Sequence, residues 1–262
     1  MNQLEIIKTR RSVRTFDGRM ISPEHRASLC AYLETIRNPY DIPVEFLLLD
    51  AQEYGLSSPV IAGDTLYIAA KAPLVSHSEE AYGYSFEKMV LCAWSLGIGT
   101  TWIGGTMDRN LFENAAKTKD GERMYCVSPL GYPAAQLSEK ESKMRQMIKA
   151  DERKPAAELF FEGNFQTPLN AAEAAAEKLE AVRLAPSAVN MQPWRIVKDG
   201  QAYHFYEQHE PGFAGRFAWD VQRIDIGIAI CHFMHMAGGK LTVADPGIAA
   251  AEDTEYIATV VL

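Results

Sequence analysis

Ala185-Pro186-Ser187-Ala188-Val189-Asn190-Met191-Gln192-Pro193-Trp194 is the stretch on which the reading of this sequence turns. Two prolines fix the path of the chain around a polar centre, and Ser187, Asn190 and Gln192 can each donate and accept hydrogen bonds. A planar heterocycle presents donors and acceptors along its edge, so this composition suits a turn that reads one. The same residues also suit an ordinary helix-to-strand turn closed by local side-chain caps. An alanine- and glutamate-rich helix is expected before it, from Leu169 to Leu184, and a strand after it, over 194–197. Asp199-Gly200 then reads as a hairpin turn into a strand at 202–206, with a helix from Asp225 to Ala237 and a closing strand at 256–262.

A second stretch, Arg10-Arg11-Ser12-Val13-Arg14-Thr15-Phe16, places arginines at positions 10, 11 and 14. Guanidinium groups this close repel one another unless an anion or acidic side chains lie among them. Arginine forks with a serine hydroxyl fit phosphate oxygens, and a solvated basic turn paired with surface carboxylates is the alternative. A third stretch, Gly99 to Thr106, contains Gly104-Gly105, where the missing side chains let a backbone N–H approach a flat ligand; a simple turn reads the same way.

The first part of the chain alternates helices and strands. A short helix is expected at 2–9, followed by one starting at Ser22-Pro23-Glu24, with Ser22 as cap and Pro23 in the first turn. Val44 to Leu49 reads as a strand buried on both faces, and Leu74-Val75-Ser76 as the start of another. Apolar residues recur at helical spacing over 81–96, a shorter helix follows at 110–117, and a strand at 125–133 closes in a turn. Residues 137–154 are densely charged and read as a solvated connection with some helical character. The helix and strand around 33–49 can be set beside those around 180–197, and 85–97 beside 225–238, which reads as an internal duplication, with two unrelated α+β segments as the alternative. The fold expected is α+β, in two similar halves at 1–163 and 164–262.

Lys and Arg number 26 against 34 Asp and Glu, so the formal charge is 26 − 34 = −8, which argues against nucleic acid or an anionic membrane as partner. The four cysteines lie far apart in apolar surroundings, as free thiols in a reducing compartment do, and the cytoplasm is the expected location. His232 and His235 share a helix face, but no spacing supplies the further ligands of a metal site, and none is expected. No apolar run has the ~18 residues of a membrane span, and the start lacks the pattern of a signal peptide.

As a set, RRSVRTF near the N-terminus, APSAVNMQPW after a helix, LGIGTTWIGG after an apolar helix, and GYP followed by ERKPAAELF resemble the nitroreductase family of FMN-dependent oxidoreductases. The likeness is greatest to members built as a single-chain pseudo-dimer. The order departs from the usual pattern: the position after the first helix holds Asn38-Pro39-Tyr40-Asp41-Ile42-Pro43, which lacks the Ser/Asn/Gln set, and the matching turn comes only in the second half. The resemblance implies one asymmetric FMN site made from what each half retains. Arg10, Arg11, Ser12, Arg14 and Arg153 would hold phosphate and ribityl. Pro186, Ser187 and Asn190 would face the ring, with Gln192 supporting the turn. Ile103, Gly104 and Gly105 would approach the flavin through backbone amides. It also implies NAD(P)H as electron donor, a small-molecule acceptor such as a nitroaromatic or quinone, and a monomeric pseudo-dimer. A flavin-binding protein without turnover, serving as sensor or store, is the alternative. Tyr40, Tyr82, Phe213, Phe217 and Trp219 are candidates for the substrate face.

Overall fold

The computed structural model describes residues 2–209 and 217–262. The chain groups into two compact units, one of residues 9–78 and 85–150, the other of 2–8, 79–84 and 151–262. The division falls at 150/151 rather than after 163. The reason is a short strand, Phe160–Glu162, which pairs in parallel with Trp194–Asp199 and carries the residues before it into the second unit.

The chain opens with helix α1 (Gln3–Thr9). The first unit then contains α2 (Pro23–Thr35), β1 (Glu45–Asp50), α3 (Ala51–Tyr54), β2 (Leu66–Pro73), α4 (Ser78–Ser95), α5 (Arg109–Ala115), β3 (Glu122–Arg123), β4 (Val127–Leu130) and α6 (Glu139–Met147), with residues 79–84 of α4 grouped in the second unit. Ser22 caps α2 as expected, its hydroxyl accepting from the His25 N–H at 3.2 Å. The sheet is built around β2, whose Leu-Tyr-Ile-Ala-Ala run is wholly buried. β1 lies antiparallel on one side of β2, and β3 and β4 lie antiparallel on the other. Lys71 enters this apolar strand because Glu45 and Glu122 meet its ammonium at 3.3 and 3.2 Å. Tyr67 and Phe112 pack edge to face below it, with Val13 and Phe16 in the same apolar cluster.

Several expectations shift here. Strand 44–49 exists, but as an edge strand with only Leu49 buried, because it has one neighbour in the sheet. The strand expected to begin at Leu74 ends at Pro73 instead, and Leu74 and Val75 are exposed.

The second unit holds α7 (Ala156–Leu159), β5 (Phe160–Glu162), α8 (Ala171–Ala174), α9 (Glu177–Arg183), β6 (Trp194–Asp199), β7 (Ala202–Gln208), α10 (Val221–Ala237), β8 (Lys240–Thr242) and β9 (Thr254–Val261). Its sheet runs β5-β6-β7-β9-β8, parallel only at β5–β6. The β6–β7 hairpin turns at Gly200, whose φ of 57° explains the glycine. The single helix expected over 169–184 is two, separated where Ala176 takes an extended ψ of 140°. α10 is buried along most of its length and packs against residues 79–84 with the backbones in touch. A Cβ on Gly83 would lie 2.1 Å from the Ile224 carbonyl oxygen, and one on Gly227 2.1 Å from that of Glu80. His232 is a core residue whose Nδ1 lies 2.8 Å from the Ala181 carbonyl oxygen. All four cysteines are free, Cys126 and Cys231 buried and Cys30 and Cys92 partly so. Among the described residues no helix is long and apolar enough to cross a membrane.

Candidate functional site

In the first unit the arginine segment is an extended piece of the core rather than a surface turn. The Val13 N–H donates to Thr100 O (2.8 Å), Phe16 N–H to Ala62 O (2.8 Å), and Ala62 N–H to Arg14 O (2.9 Å). Val13 and Phe16 are buried anchors, packed so closely on Gly99 and Gly131 that a Cβ at either glycine would lie 2.8 Å from their side chains. This clamping forces the neighbouring arginines to bury. Arg10 is 9% exposed, and its Nε lies 3.9 Å from Glu87 Oε1 without a hydrogen-bond partner. Arg14 Nη1 is likewise buried with no hydrogen-bond partner. Burial lowers the pKa of both guanidiniums below the ordinary value. Arg145 pushes each the same way, while Glu87 opposes at Arg10 and Glu141 opposes at Arg14. Ser12 is half-buried and Arg11 exposed.

The charged stretch 137–154 is thus not merely a solvated connection. Ser138 caps α6, and Glu141 is 1% exposed, its carboxylate accepting from Arg14 N–H (3.0 Å) and Thr15 Oγ1 (2.8 Å). Arg145, far from the arginine segment in sequence, lies within electrostatic reach of Arg10 and Arg14. Three guanidiniums face two buried carboxylates, leaving net positive charge and donors without acceptors. That is the chemistry of an anion cradle, and it fits a phosphate.

The glycine loop follows in the same unit. Ile103 is buried, and it exchanges both backbone hydrogen bonds with Val127 at 2.9 Å. Its amide is therefore spent, contrary to the expectation that it approaches a ligand. Gly104 and Gly105 are left with that part. A Cβ at Gly104 would meet only the Tyr125 carbonyl oxygen, at 3.8 Å, so no internal crowding demands a glycine there. Arg109 secures the loop: Nη2 donates to Gly104 O (2.9 Å) and Tyr125 O (3.1 Å), Nη1 to Met124 O (2.6 Å). Ser58 Oγ donates to Thr106 O at 2.6 Å.

In the second unit the 185–194 turn is strained and heavily braced. Val189, Asn190 and Gln192 have φ values of 42°, 63° and 53°, a conformation that costs a β-branched residue such as valine on the order of 1–3 kcal/mol. Both carboxylate oxygens of Asp225 lie 3.1 Å from the Ala188 nitrogen and accept from its N–H. Burial holds the Asp225 carboxyl well above the usual carboxylate range, with the Ala188 N–H opposing and Asp220 adding to the rise. Ser187 Oγ accepts from Gln192 N–H at 2.8 Å. Gln192, 3% exposed, accepts from Lys154 N–H (2.8 Å) and donates to Asn190 O (3.1 Å), so it supports the turn as expected. Asn190 differs: its Nδ2 donates to Glu152 O at 3.0 Å and its Oδ1 accepts from Arg153 Nη1 at 3.3 Å. Both are braces between the turn and residues 152–153, while Pro186 and Ser187 are half-buried.

Of the aromatic candidates, Tyr82 is fully buried core, Tyr40 stacks on His77 (5.4 Å between centroids), and Phe217 stacks on Trp219 (5.0 Å). Phe213 lies outside the described residues. The sequence reading did not single out Arg109, Glu141, Arg145 or Asp225. Only Asp225 had a usable signal, an acid between two isoleucines of a long, mostly apolar helix.

A family model described as "Putative TM nitroreductase" matches residues 2–237. Among solved structures, the chain is similar to a "putative nitroreductase" from Thermotoga maritima MSB8, at 22% identity and a TM-score of 0.62, over 100% of this chain and 94% of that one. A nitroreductase family protein from Clostridium difficile 630 matches at 15% identity and a TM-score of 0.47, over 60% of this chain and 96% of that one. An FMN-dependent nitroreductase from Clostridium difficile R20291 matches at 17% identity and a TM-score of 0.43, over 52% and 92%. No curated protein matches the chain. The Thermotoga structure shows the shared α+β fold.

Proposed function

The chain belongs to the nitroreductase family whose model spans residues 2–237, and from that premise we propose that it is an FMN-dependent oxidoreductase, taking hydride from NAD(P)H and passing electrons to a nitroaromatic, quinone or similar small acceptor. The observation that carries this reading is the pair of buried guanidinium atoms, Arg10 Nε and Arg14 Nη1, left without hydrogen-bond partners in a cluster that Arg145 makes more positive. A buried donor without an acceptor costs about 1–3 kcal/mol, and a phosphate ester would remove that cost at both atoms.

FMN, when bound, supplies the hydride and electron chemistry; the protein binds, orients and tunes it. Arg10, Arg14 and Arg145 hold the phosphate in this proposal, with Ser12 and Arg11 beside them in sequence. The amides of Gly104 and Gly105, on a loop held by Arg109, serve the ring. Pro186 and Ser187 form the ligand-facing part of the second segment, while Arg153, Asn190 and Gln192 keep its strained form. One FMN per chain, as expected of a decayed internal duplication, is part of the same proposal.

Titrating FMN into the purified chain should quench flavin fluorescence at one equivalent. Arg14→Ala should lower affinity by about 1.5–3 kcal/mol, the worth of a charge-assisted hydrogen bond. The bound flavin should bleach with NADH or NADPH and recover its colour on adding a nitroaromatic. Binding without bleaching would leave a flavin-binding protein in place of an enzyme, and no quenching at all would overturn both.

A further inference from the structure

The second unit contains a group of polar side chains that the flavin reading does not use. Glu207, at the end of β7, is 0% exposed. The strand register sets it directly opposite Glu255 on β9, a like-charge pairing that weakens a sheet. Asp220, which caps α10, and Asp225 within it add negative charge around it. Arg223, the cation whose charge opposes them, is taken up elsewhere: Nη1 meets Glu80 Oε1 at 3.1 Å and Nη2 meets Glu255 Oε1. Glu207 Oε2 has no hydrogen-bond or ion-pair partner among the described residues. Its Oε1 lies 2.8 Å from His209 Nδ1, yet the two are not aligned as a hydrogen bond. Atoms so placed suit two neighbouring ligands of one cation better than a donor and its acceptor.

We infer that Glu207, His209 and Asp220 form a binding site for a divalent first-row metal ion, with Zn²⁺ or Mn²⁺ the ions that suit the donors. One ligand atom from each of the three lies within 4.8 Å of the others, so modest contraction brings them to coordination distance. An imidazole nitrogen with two carboxylates is a borderline-hard set, fitting these ions rather than Cu(I). The other imidazole nitrogen, Nε2, lies 3.7 Å from Glu255 Oε2, and Arg223 holds that carboxylate. A carboxylate behind a histidine ligand is the outer arrangement that orients such rings. His209 is 44% exposed, which leaves one side of the site open to water. Asp220 also caps α10, through Oδ1 and the Gln222 N–H at 2.8 Å, so a bound ion would tie the end of β7 to the helix whose Asp225 braces the 185–194 turn.

The test uses tag-free, full-length protein stripped with a chelator. Calorimetric titration with Zn²⁺ should show one ion per chain, and Co²⁺ should give visible ligand-field bands. His209→Ala and Glu207→Gln should each weaken Zn²⁺ binding about 10-fold or more, while the exposed Glu158→Gln should not. Glu207→Gln should fold with undiminished stability in chelator, because it replaces a buried acid with a neutral amide of the same shape, and should lose the rise in Tm that Zn²⁺ gives the parent protein. Failure to bind Zn²⁺ and Co²⁺ stoichiometrically, or binding that Glu207→Gln leaves unchanged, would overturn the inference.

Discussion

Two helix-to-strand connections, 36–44 in the first unit and 184–193 in the second, solve the same local problem by different means. In the first, Asn38 closes the turn on itself: Nδ2 donates to Ile42 O (2.6 Å) and Ser85 Oγ (3.1 Å), and Oδ1 accepts from the N–H groups of Tyr40 (3.1 Å) and Ile42 (3.3 Å). One non-glycine residue there, Asp41, has positive φ, at 55°. The second turn holds three such residues, a valine among them, and recruits Asp225, Lys154, Glu152 and Arg153 to keep them there. A turn that merely reverses the chain needs none of this. Strain maintained by several independent braces is what the proposed ligand-facing part of this segment requires.

The largest expected contrast comes from pH. The brace of the first turn is a neutral amide. That of the second is a buried acid, in a region where Glu207 is surrounded by Asp220 at the cap of α10, Asp225 within it, Glu255 of β9, His209 beyond β7, and the opposing Arg223. Both Glu207 and Asp225 have folded pKa values raised above their unfolded ones, so their contribution to stability is complete below the usual carboxyl range. It is lost as pH rises through the folded values, toward about 9 for Glu207. In chelator, the unfolding free energy should therefore fall between about pH 5 and 9, by on the order of 3–6 kcal/mol, and hydrogen exchange should quicken in 184–193 before 36–44.

Asp225→Ala comes next. It leaves the Ala188 N–H without its acceptor and should cost about 1–3 kcal/mol in urea denaturation, together with a loss of FMN affinity. Asn38→Ala should cost about 1–2 kcal/mol and leave FMN affinity within error of the parent; a matching loss of affinity would erase the distinction between the turns. The smallest effect belongs to Val189→Gly. Relief of strain and the entropy of glycine nearly cancel, so stability should change by less than about 1 kcal/mol, whereas a loss well above that would show the valine to be unstrained.

Much of the fold was legible where periodicity was strong. α4, the β6–β7 hairpin and the Ser22-capped α2 lie within a few residues of their expected places. β2, the central strand of the first sheet, escaped because Lys71 and Pro73 interrupt its apolar run, and the ion pairs that bury Lys71 come from strands distant in sequence. The expected site residues were recognisable as segments, but not the use each makes of its polar atoms. Ile103 spends its amide on Val127 and Asn190 its side chain on residues 152–153, which no spacing rule reveals. Arg145 and Glu141 looked like any charged surface helix, and only the tertiary return of α6 to the arginine segment gives them a part.

The most direct measurement is the number of FMN molecules bound per chain, determined together with the solution mass, for the parent protein and for the Arg14→Ala and Asn190→Ala variants. The account predicts one FMN per chain and weaker binding in both variants. Two FMN per chain, or an Asn190→Ala protein with unchanged affinity, would contradict it.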